Sequence, residues 1–161
     1  MEKFTFFFSN SSVFSNWYMC KIEINSKEYC CSEQYFMEQK ALFFNDLESA
    51  KYIMATKSAY FMKKRGRAVT GFCKNAWEEK SKEIMYQCVY AKFLQNSDLT
   101  AKLFQTYGTI LAETNPFDTL WGIGLSAENP KALNQDNWRG KNWLGNILMQ
   151  VRQELIDEFF C

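Results

Sequence analysis

The chain of 161 residues contains no histidine. Histidine is the side chain whose ordinary pKa lies nearest to neutral pH, so acid–base chemistry here must use carboxylates, lysine, tyrosine or cysteine. Hydrolases that depend on a Ser-His or Cys-His pair are excluded by this absence alone. No CxxC pair is present to combine with another, so zinc is also disfavoured. No metal site is therefore expected.

Proline is scarce, with two residues, and no low-complexity run, linker or internal repeat divides the chain. Hydrophobic residues make up 47% and aromatic residues 17%, which suffices for a core. Long apolar runs are absent too: the N-terminal stretch MEKFTFFFSNSSVFSNW is too short and too polar at its ends to span a membrane. Nor does it resemble a secretion signal. We expect one domain over residues 1–161, in the cytoplasm and away from membranes.

Six cysteines lie at irregular spacings, at Cys20, Cys30, Cys31, Cys73, Cys88 and Cys161. Without a secretion signal and with an ample core, reduced thiols are favoured over disulfides. The adjacent pair Cys30–Cys31 points its side chains in different directions if that segment is extended. The cysteines are therefore predicted to be structural, without a metal or redox function.

Acidic residues are missing from residues 49–77, although the net charge of the chain is only +1. Seven cations fall in this block, namely Lys51, Lys57, Lys63, Lys64, Arg65, Arg67 and Lys74. Such a block suits phosphate groups. The alternative is a solvated surface whose counter-charges come from elsewhere in the chain.

The hydrophobic pattern predicts an α+β fold, compact and mainly helical, with small β elements. Strands are expected at residues 4–8 and 109–114, and a hairpin around 25–27. A helix begins after Ser32 as N-cap, and another is closed by Gly66. Asn75 is expected to cap a long helix that reaches residue 95, with Glu78 at the capping-box position. Further helices are predicted at residues 47–55, 98–107 and 144–159.

Glu33 opens the first candidate site. In the first turn of a helix capped by Ser32, its carboxylate is favoured in the ionised form. Lys40 lies two turns further on the same face and can bind phosphate or act as a nucleophilic amine. The alternative is an ordinary first-turn acid with an exposed lysine on the helix surface.

The loop NPFDTLWGIG, residues 115–124, is the second candidate. Asp118 beside Trp121 could bind ribose hydroxyls and a base, and Gly122 lets the backbone approach a ligand. The alternative is a turn in which Asp118 bonds its own backbone. Two further loops place an amide next to a tryptophan: FSNWY (14–18) and NWRGKNWLG (137–145). Isolated tryptophans are usually core residues.

Taken together, these segments resemble the NADAR superfamily, which includes the YbiA-like N-glycosidases. The matching segments occur in family order and cover nearly the whole chain: FSNWY, EYCCSEQYFMEQKALFF, KKRGRAVTGF, NAWEEKSKEIM, AKFLQN, LAETNPFDTLWGIGL and WRGKNWLGNILMQVR. The resemblance implies the YbiA-like α+β fold and cleavage of an N-glycosidic bond without metal or organic cofactor.

The resemblance also implies site residues. Catalytic roles fall to Glu33, Asp118 and Lys40, with Lys40 either binding phosphate or trapping a ring-opened sugar as a Schiff base. Substrate-binding roles fall to Asn16, Trp17, Arg65, Arg67, Trp77, Trp121, Gly122, Trp138 and Asn142.

Relatives of this kind act on two groups of substrates. One group is guanine carrying ADP-ribose, in nucleic acid or nucleotide, which connects the family to DNA repair and to ADP-ribosyltransferase toxins in toxin–antitoxin pairs. We expect this substrate. The alternatives are phosphoribosylamino-pyrimidine intermediates of riboflavin synthesis, or a module that binds ADP-ribose without catalysis. The oligomeric state is left open by the sequence.

Overall fold

The structure is a computed structural model, and it describes residues 2–161. It contains six α-helices, two short 3-10 helices and four short strands in this part of the chain. None of these helices is long and apolar enough to cross a membrane. In chain order the elements are β1 (Phe4–Phe7), β2 (Ile22–Ile24), β3 (Lys27–Tyr29), α1 (Ser32–Phe43), α2 (Leu47–Ala55), α3 (Ala59–Arg67), α4 (Lys74–Gln95), α5 (Ser97–Gln105), β4 (Ile110–Glu113), the 3-10 helices Pro130–Leu133 and Gln135–Asn137, and α6 (Trp143–Phe160).

Residues 16–95 form one compact unit, built from the β2–β3 hairpin and helices α1 to α4. Helix α1 packs against α2, α3 and α4, which explains why nearly its whole first two turns are buried. The hairpin turns at Asn25 and Ser26, whose φ angles of 52° and 62° are those of a tight two-residue turn. The predicted hairpin is confirmed.

The prediction that Ser32 caps α1 is wrong. The extended residue before the helix is Cys31, and Ser32 is already the first helical residue, with a buried hydroxyl. The side chain of Gln34 reaches back instead and accepts a hydrogen bond from the Cys30 amide at 2.9 Å. The chain thus enters the helix one residue early, and Glu33 is still in its first turn.

The prediction that Gly66 ends a helix is wrong, because Gly66 lies inside α3. A β-carbon at this position would come within 2.0 Å of the Met37 sulfur on α1, so glycine is needed for the close approach of the two helices. Asn75 is likewise inside α4, because the Cys73 carbonyl already accepts the Trp77 amide at 3.0 Å. Glu78 pairs with Lys74 at 3.7 Å instead of closing a capping box.

Residues 2–15 and 96–161 belong to the second compact unit. The parallel pair β1–β4 places Phe4 opposite Ile110, and α6 packs on β4. The core side of α6 is formed by fully buried leucine and valine side chains, at Leu144, Leu148, Val151 and Leu155. The predicted strands and the two helices of this unit are confirmed within a few residues.

Candidate functional site

Glu33 is held at the start of α1 by both its backbone and its side chain. Its amide donates to the Asn16 carbonyl at 2.9 Å, and its carboxylate accepts a hydrogen bond from the Trp17 indole. Only 6% of the residue is exposed. The two loop residues predicted to bind substrate, Asn16 and Trp17, therefore position Glu33.

Burial raises the pKa of Glu33 to about 7. The positive charges of Lys63, Arg67 and Lys40 and the Trp17 hydrogen bond act in the opposite direction and limit this rise. The helix dipole alone favours the ionised form, as expected from the sequence, but loss of water outweighs it. Near neutral pH the carboxyl group can therefore both release and accept a proton.

Lys40 also belongs to this group of charges. Its amine lies 4.4 Å from the centre of the Phe72 ring, and the side chain is half-buried. Burial lowers the pKa of Lys40, Glu33 opposes the shift, and Arg67 adds to it. A lysine with a lowered pKa is more easily deprotonated, which suits a nucleophilic amine, while its charged form suits phosphate.

Lys63 is a residue of the site that the sequence analysis did not select. It acts on the Glu33 carboxyl more strongly than any other cation, and its amine lies 5.8 Å from the centre of the Trp17 ring. Lys63 and Arg67 are four residues apart on α3 and so share one helix face. The four-residue spacing of Lys63 and Arg67, within a block that contains no acidic residue, was the sequence signal that could have identified Lys63.

Arg65 does not join Arg67. Its guanidinium donates to the Ser49 hydroxyl at 2.8 Å, pairs with Glu48 at 3.3 Å and lies 5.5 Å from the Tyr52 ring centre. All three partners are on α2. The two predicted arginines of α3 therefore lie in different surroundings: Arg67 acts on Glu33, whereas Arg65 contacts α2.

Trp77 packs among aromatic rings. Its ring centre lies 5.2 Å from Phe36, 6.0 Å from Phe43 and 6.3 Å from Phe44, and it is 6% exposed. Phe44 continues this cluster to Phe72, the ring under the Lys40 amine. The cluster therefore supplies an apolar wall below Lys40.

The loop around Asp118, in the other unit, is folded by its own side chains. The Asp118 carboxylate accepts the amides of Leu120 at 2.9 Å and Trp121 at 2.8 Å through one oxygen. This is the turn that the sequence left open as the alternative to a ribose site. The Trp121 ring stacks edge-on against Trp143 at 5.4 Å.

Gly122, Trp138 and Asn142 hold the same unit together. A β-carbon on Gly122 would come 3.0 Å from the Glu113 carbonyl, so the loop lies directly against β4. Asn142, 1% exposed, donates to the Leu111 carbonyl at 2.9 Å and accepts the Glu113 amide at 3.1 Å. The Trp138 indole donates to the Ala132 carbonyl at 2.9 Å. A structural role for Trp138 was the alternative given for isolated tryptophans, whereas the structural contacts of Gly122 and Asn142 were not expected from the sequence.

Replacement of Asp118 by alanine is expected to lower the free energy of unfolding by about 1–2 kcal/mol, because two loop amides lose their acceptor. Asp118→Asn retains an oxygen acceptor and is the matched control, with a change below about 0.5 kcal/mol. Urea denaturation of both variants measures the difference. Equal loss of stability in the two variants would contradict the turn as the origin of the effect.

The cysteines are free thiols at all six positions. Cys31 is fully buried, its thiol lies 3.7 Å from the Met62 sulfur, and burial raises its pKa. No group of three histidine, cysteine, aspartate or glutamate side chains suited to a metal ion occurs in residues 2–161.

Several known proteins are similar to this chain in sequence. Protein irg-1 of Caenorhabditis elegans is 39% identical, over 94% of this chain and 79% of that protein. An N-glycosidase of Acanthamoeba polyphaga mimivirus is 35% identical, over 88% of this chain and 86% of its own. A riboflavin biosynthesis protein of Vibrio vulnificus is 30% identical over 96% of this chain, which spans 39% of that longer protein.

The fold has a solved counterpart in the NMR structure of the Escherichia coli protein YbiA. The two agree with a TM-score of 0.79 at 30% sequence identity, over 98% of this chain and 88% of the other. The predicted α+β fold of the YbiA type is therefore confirmed. The model of the NADAR domain family matches residues 5–156. The chain belongs to the NADAR domain family, whose relatives include proteins named N-glycosidases.

Proposed function

We propose that this protein is an N-glycosidase that hydrolyses the bond between a ribosyl carbon and a base nitrogen, with Glu33 as its catalytic carboxyl group. The observation that carries the proposal is the environment of Glu33: a buried carboxyl with a pKa of about 7, bonded by Trp17 and faced by three cations. A carboxyl whose pKa matches the working pH is suited to proton transfer.

The reaction breaks the C–N bond and the electron pair leaves with the base nitrogen, so positive charge develops on the sugar. Water adds to the ribosyl carbon, and Glu33 accepts a proton from that water. The proton lost by the water balances the one that the base nitrogen gains. Among Lys40, Lys63 and Arg67, Glu33 supplies the negative charge that stabilises the cationic sugar in the transition state.

The substrate proposed is guanine that carries ADP-ribose. Its diphosphate is dianionic, and the three cations around Glu33 have the charge to bind it. For Asp118 and Trp121 we propose the roles that the family resemblance implies, binding of ribose hydroxyls and stacking on the heterocycle. A second candidate is a phosphoribosylamino-pyrimidine, and the name of the Vibrio vulnificus relative favours it.

A substrate panel tests these proposals. The protein is incubated with DNA that carries ADP-ribose on guanine and, separately, with the phosphoribosylamino-pyrimidine, and release of the sugar phosphate is followed by chromatography. Turnover of the modified DNA alone supports the first substrate, and turnover of the pyrimidine alone supports the second. Binding of ADP-ribose without any turnover would overturn the enzyme proposal in favour of a binding module.

Removal of a cation next to Glu33 is expected to shift the pH dependence of the reaction. Lys63 and Arg67 both lower the pKa of Glu33, so Lys63→Met or Arg67→Met raises it above about 7. The rise of kcat/KM with pH then moves to higher pH, and activity at pH 7 falls. The exposed Lys102, on α5, provides the matched control Lys102→Met. Equal pH profiles in all variants would contradict the electrostatic account.

A further inference from the structure

A second concave site lies between α2 and α3, apart from the Glu33 carboxyl. Its volume is about 250 Å³, and it is lined by Tyr52, Phe61, Lys64, Arg65 and Ala68. Pockets that enclose whole drug-sized molecules measure about 300–1,000 Å³. This cavity therefore suits one ring system or one nucleotide of a longer ligand.

Aromatic side chains form the cavity wall and face solvent. Tyr52 is 44% exposed and Phe61 is 45% exposed, so both rings are accessible to a ligand from solvent. Phe61 is further held by Tyr60, whose ring centre lies 5.3 Å away. Exposed rings at a cavity rim are stacking surfaces for flat heterocycles.

Arg65 is fixed at the same cavity before any ligand binds. Ser49 accepts its Nε–H at 2.8 Å, Glu48 pairs with its terminal nitrogen at 3.3 Å, and its guanidinium lies 5.5 Å from the Tyr52 ring centre. The guanidinium plane next to a ring adds a second flat, cationic surface. Within residues 2–161 the acid that pairs with this arginine is Glu48, and its side chain is 88% exposed.

Lys64 adds a cation that is not neutralised. It is exposed, lines the cavity, and makes no ion pair within residues 2–161. The charged residues of the cavity lining are Lys64 and Arg65, and their two positive charges outweigh the single negative charge of Glu48. The site thus combines aromatic rings with net positive charge, the pairing that binds a base and its phosphate.

We propose that this α2–α3 cavity binds one nucleotide of a single-stranded nucleic acid, next to the nucleotide processed at Glu33. The base stacks on Phe61 and Tyr52, and the phosphate lies against Lys64. Helix α3 carries both Lys64 and the pair Lys63–Arg67 that acts on Glu33, and an α-helix with side chains is about 10–12 Å across. One strand can therefore reach both positions. This inference rests on the proposed function for its substrate, but its binding test does not require turnover.

The test measures binding of the full-length protein to a fluorescent, unmodified single-stranded oligonucleotide by anisotropy, with guanosine monophosphate in a parallel titration. Phe61→Ala is expected to weaken oligonucleotide binding by about 5- to 100-fold, as loss of one base–aromatic stack does. Lys64→Met is expected to weaken it less and to reduce the salt dependence by about one phosphate contact. Tyr107→Ala and Lys102→Met, both exposed and outside the cavity lining, are the matched controls.

Selective weakening in Phe61→Ala and Lys64→Met supports the proposal, whether or not the enzyme assay succeeds. Three results would overturn it: no binding of the oligonucleotide by the wild type, equal losses in the control variants, or mononucleotide binding that is as tight as oligonucleotide binding. The last result would assign the cavity to a free nucleotide. A protein without glycosidase activity but with this binding pattern would overturn only the proposed function.

Discussion

Glu33→Gln is expected to lower kcat by about 10²–10⁴-fold, the usual contribution of a positioned acid or base. Glutamine has the shape of the protonated side chain and can still accept the Trp17 hydrogen bond. It cannot accept a proton from water or carry negative charge towards the sugar. The measurement is sugar release from the active substrate of the panel, with wild type and variant at equal concentration.

The same substitution is expected to stabilise the folded protein above neutral pH. Folding raises the pKa of Glu33 from 4.5 to about 7, so the folded state holds its proton where the unfolded state has lost it. The contribution of Glu33 to the free energy of unfolding is therefore highest below pH 4.5 and falls as the pH rises towards 7. At pH 8 the difference is on the order of 3 kcal/mol in favour of Glu33→Gln, and at pH 4 it vanishes.

Urea denaturation at pH 4 and pH 8 measures this difference. Glu79→Gln, at an exposed position of α4, is the control, and its stability is expected to follow the wild type. A variant that is inactive yet more stable at pH 8 identifies Glu33 as a functional group that costs stability. If Glu33→Gln unfolds more easily at both pH values, the burial penalty on the ionised carboxyl is contradicted, and if the variant also keeps its turnover, the proposed catalytic role fails.

The helix at residues 47–55 illustrates how much of the fold the sequence predicts. Its predicted and observed limits agree, because Asp46 caps it locally through the Ser49 amide at 3.0 Å. Gly66 shows where this local reasoning ends. Glycine usually stops a helix, but here it allows α1 and α3 to meet, and only the position of Met37 reveals that. Contacts between distant segments override a local signal of this kind.

The candidate site divides in the same way. Glu33 could be found from its place in a first helical turn, and Lys63 could have been found from its spacing to Arg67. The rise in the pKa of Glu33 could not, because it comes from burial of the carboxyl in the folded unit, where α1 packs against three other helices. The turn closed by Asp118 was an alternative that the sequence offered, but only the folded chain shows that it forms and that the Trp138 indole bonds the Ala132 carbonyl.

Asn142→Ala is expected to lower the free energy of unfolding by about 3–5 kcal/mol, the largest stability effect expected here. The substitution leaves the Leu111 carbonyl and the Glu113 amide without the side chain that joins them to the start of α6. It also places alanine at a φ of 51°, in the left-handed region, which asparagine adopts more readily than alanine.

Asn142→Gly separates these two causes, because glycine adopts the left-handed conformation freely but has no side chain to bond β4. We expect the glycine variant to recover about 1 kcal/mol relative to alanine and to remain well below the wild type. Gly145 leaves room for this arrangement, since a β-carbon there would come 2.4 Å from the Asn142 amide nitrogen. Urea denaturation of the three proteins gives the order. A side chain that joins α6 to β4 cannot be removed without weakening that contact. If both variants kept the stability of the wild type and lost only substrate affinity, this structural role would be contradicted, and Asn142 would be a substrate-binding residue.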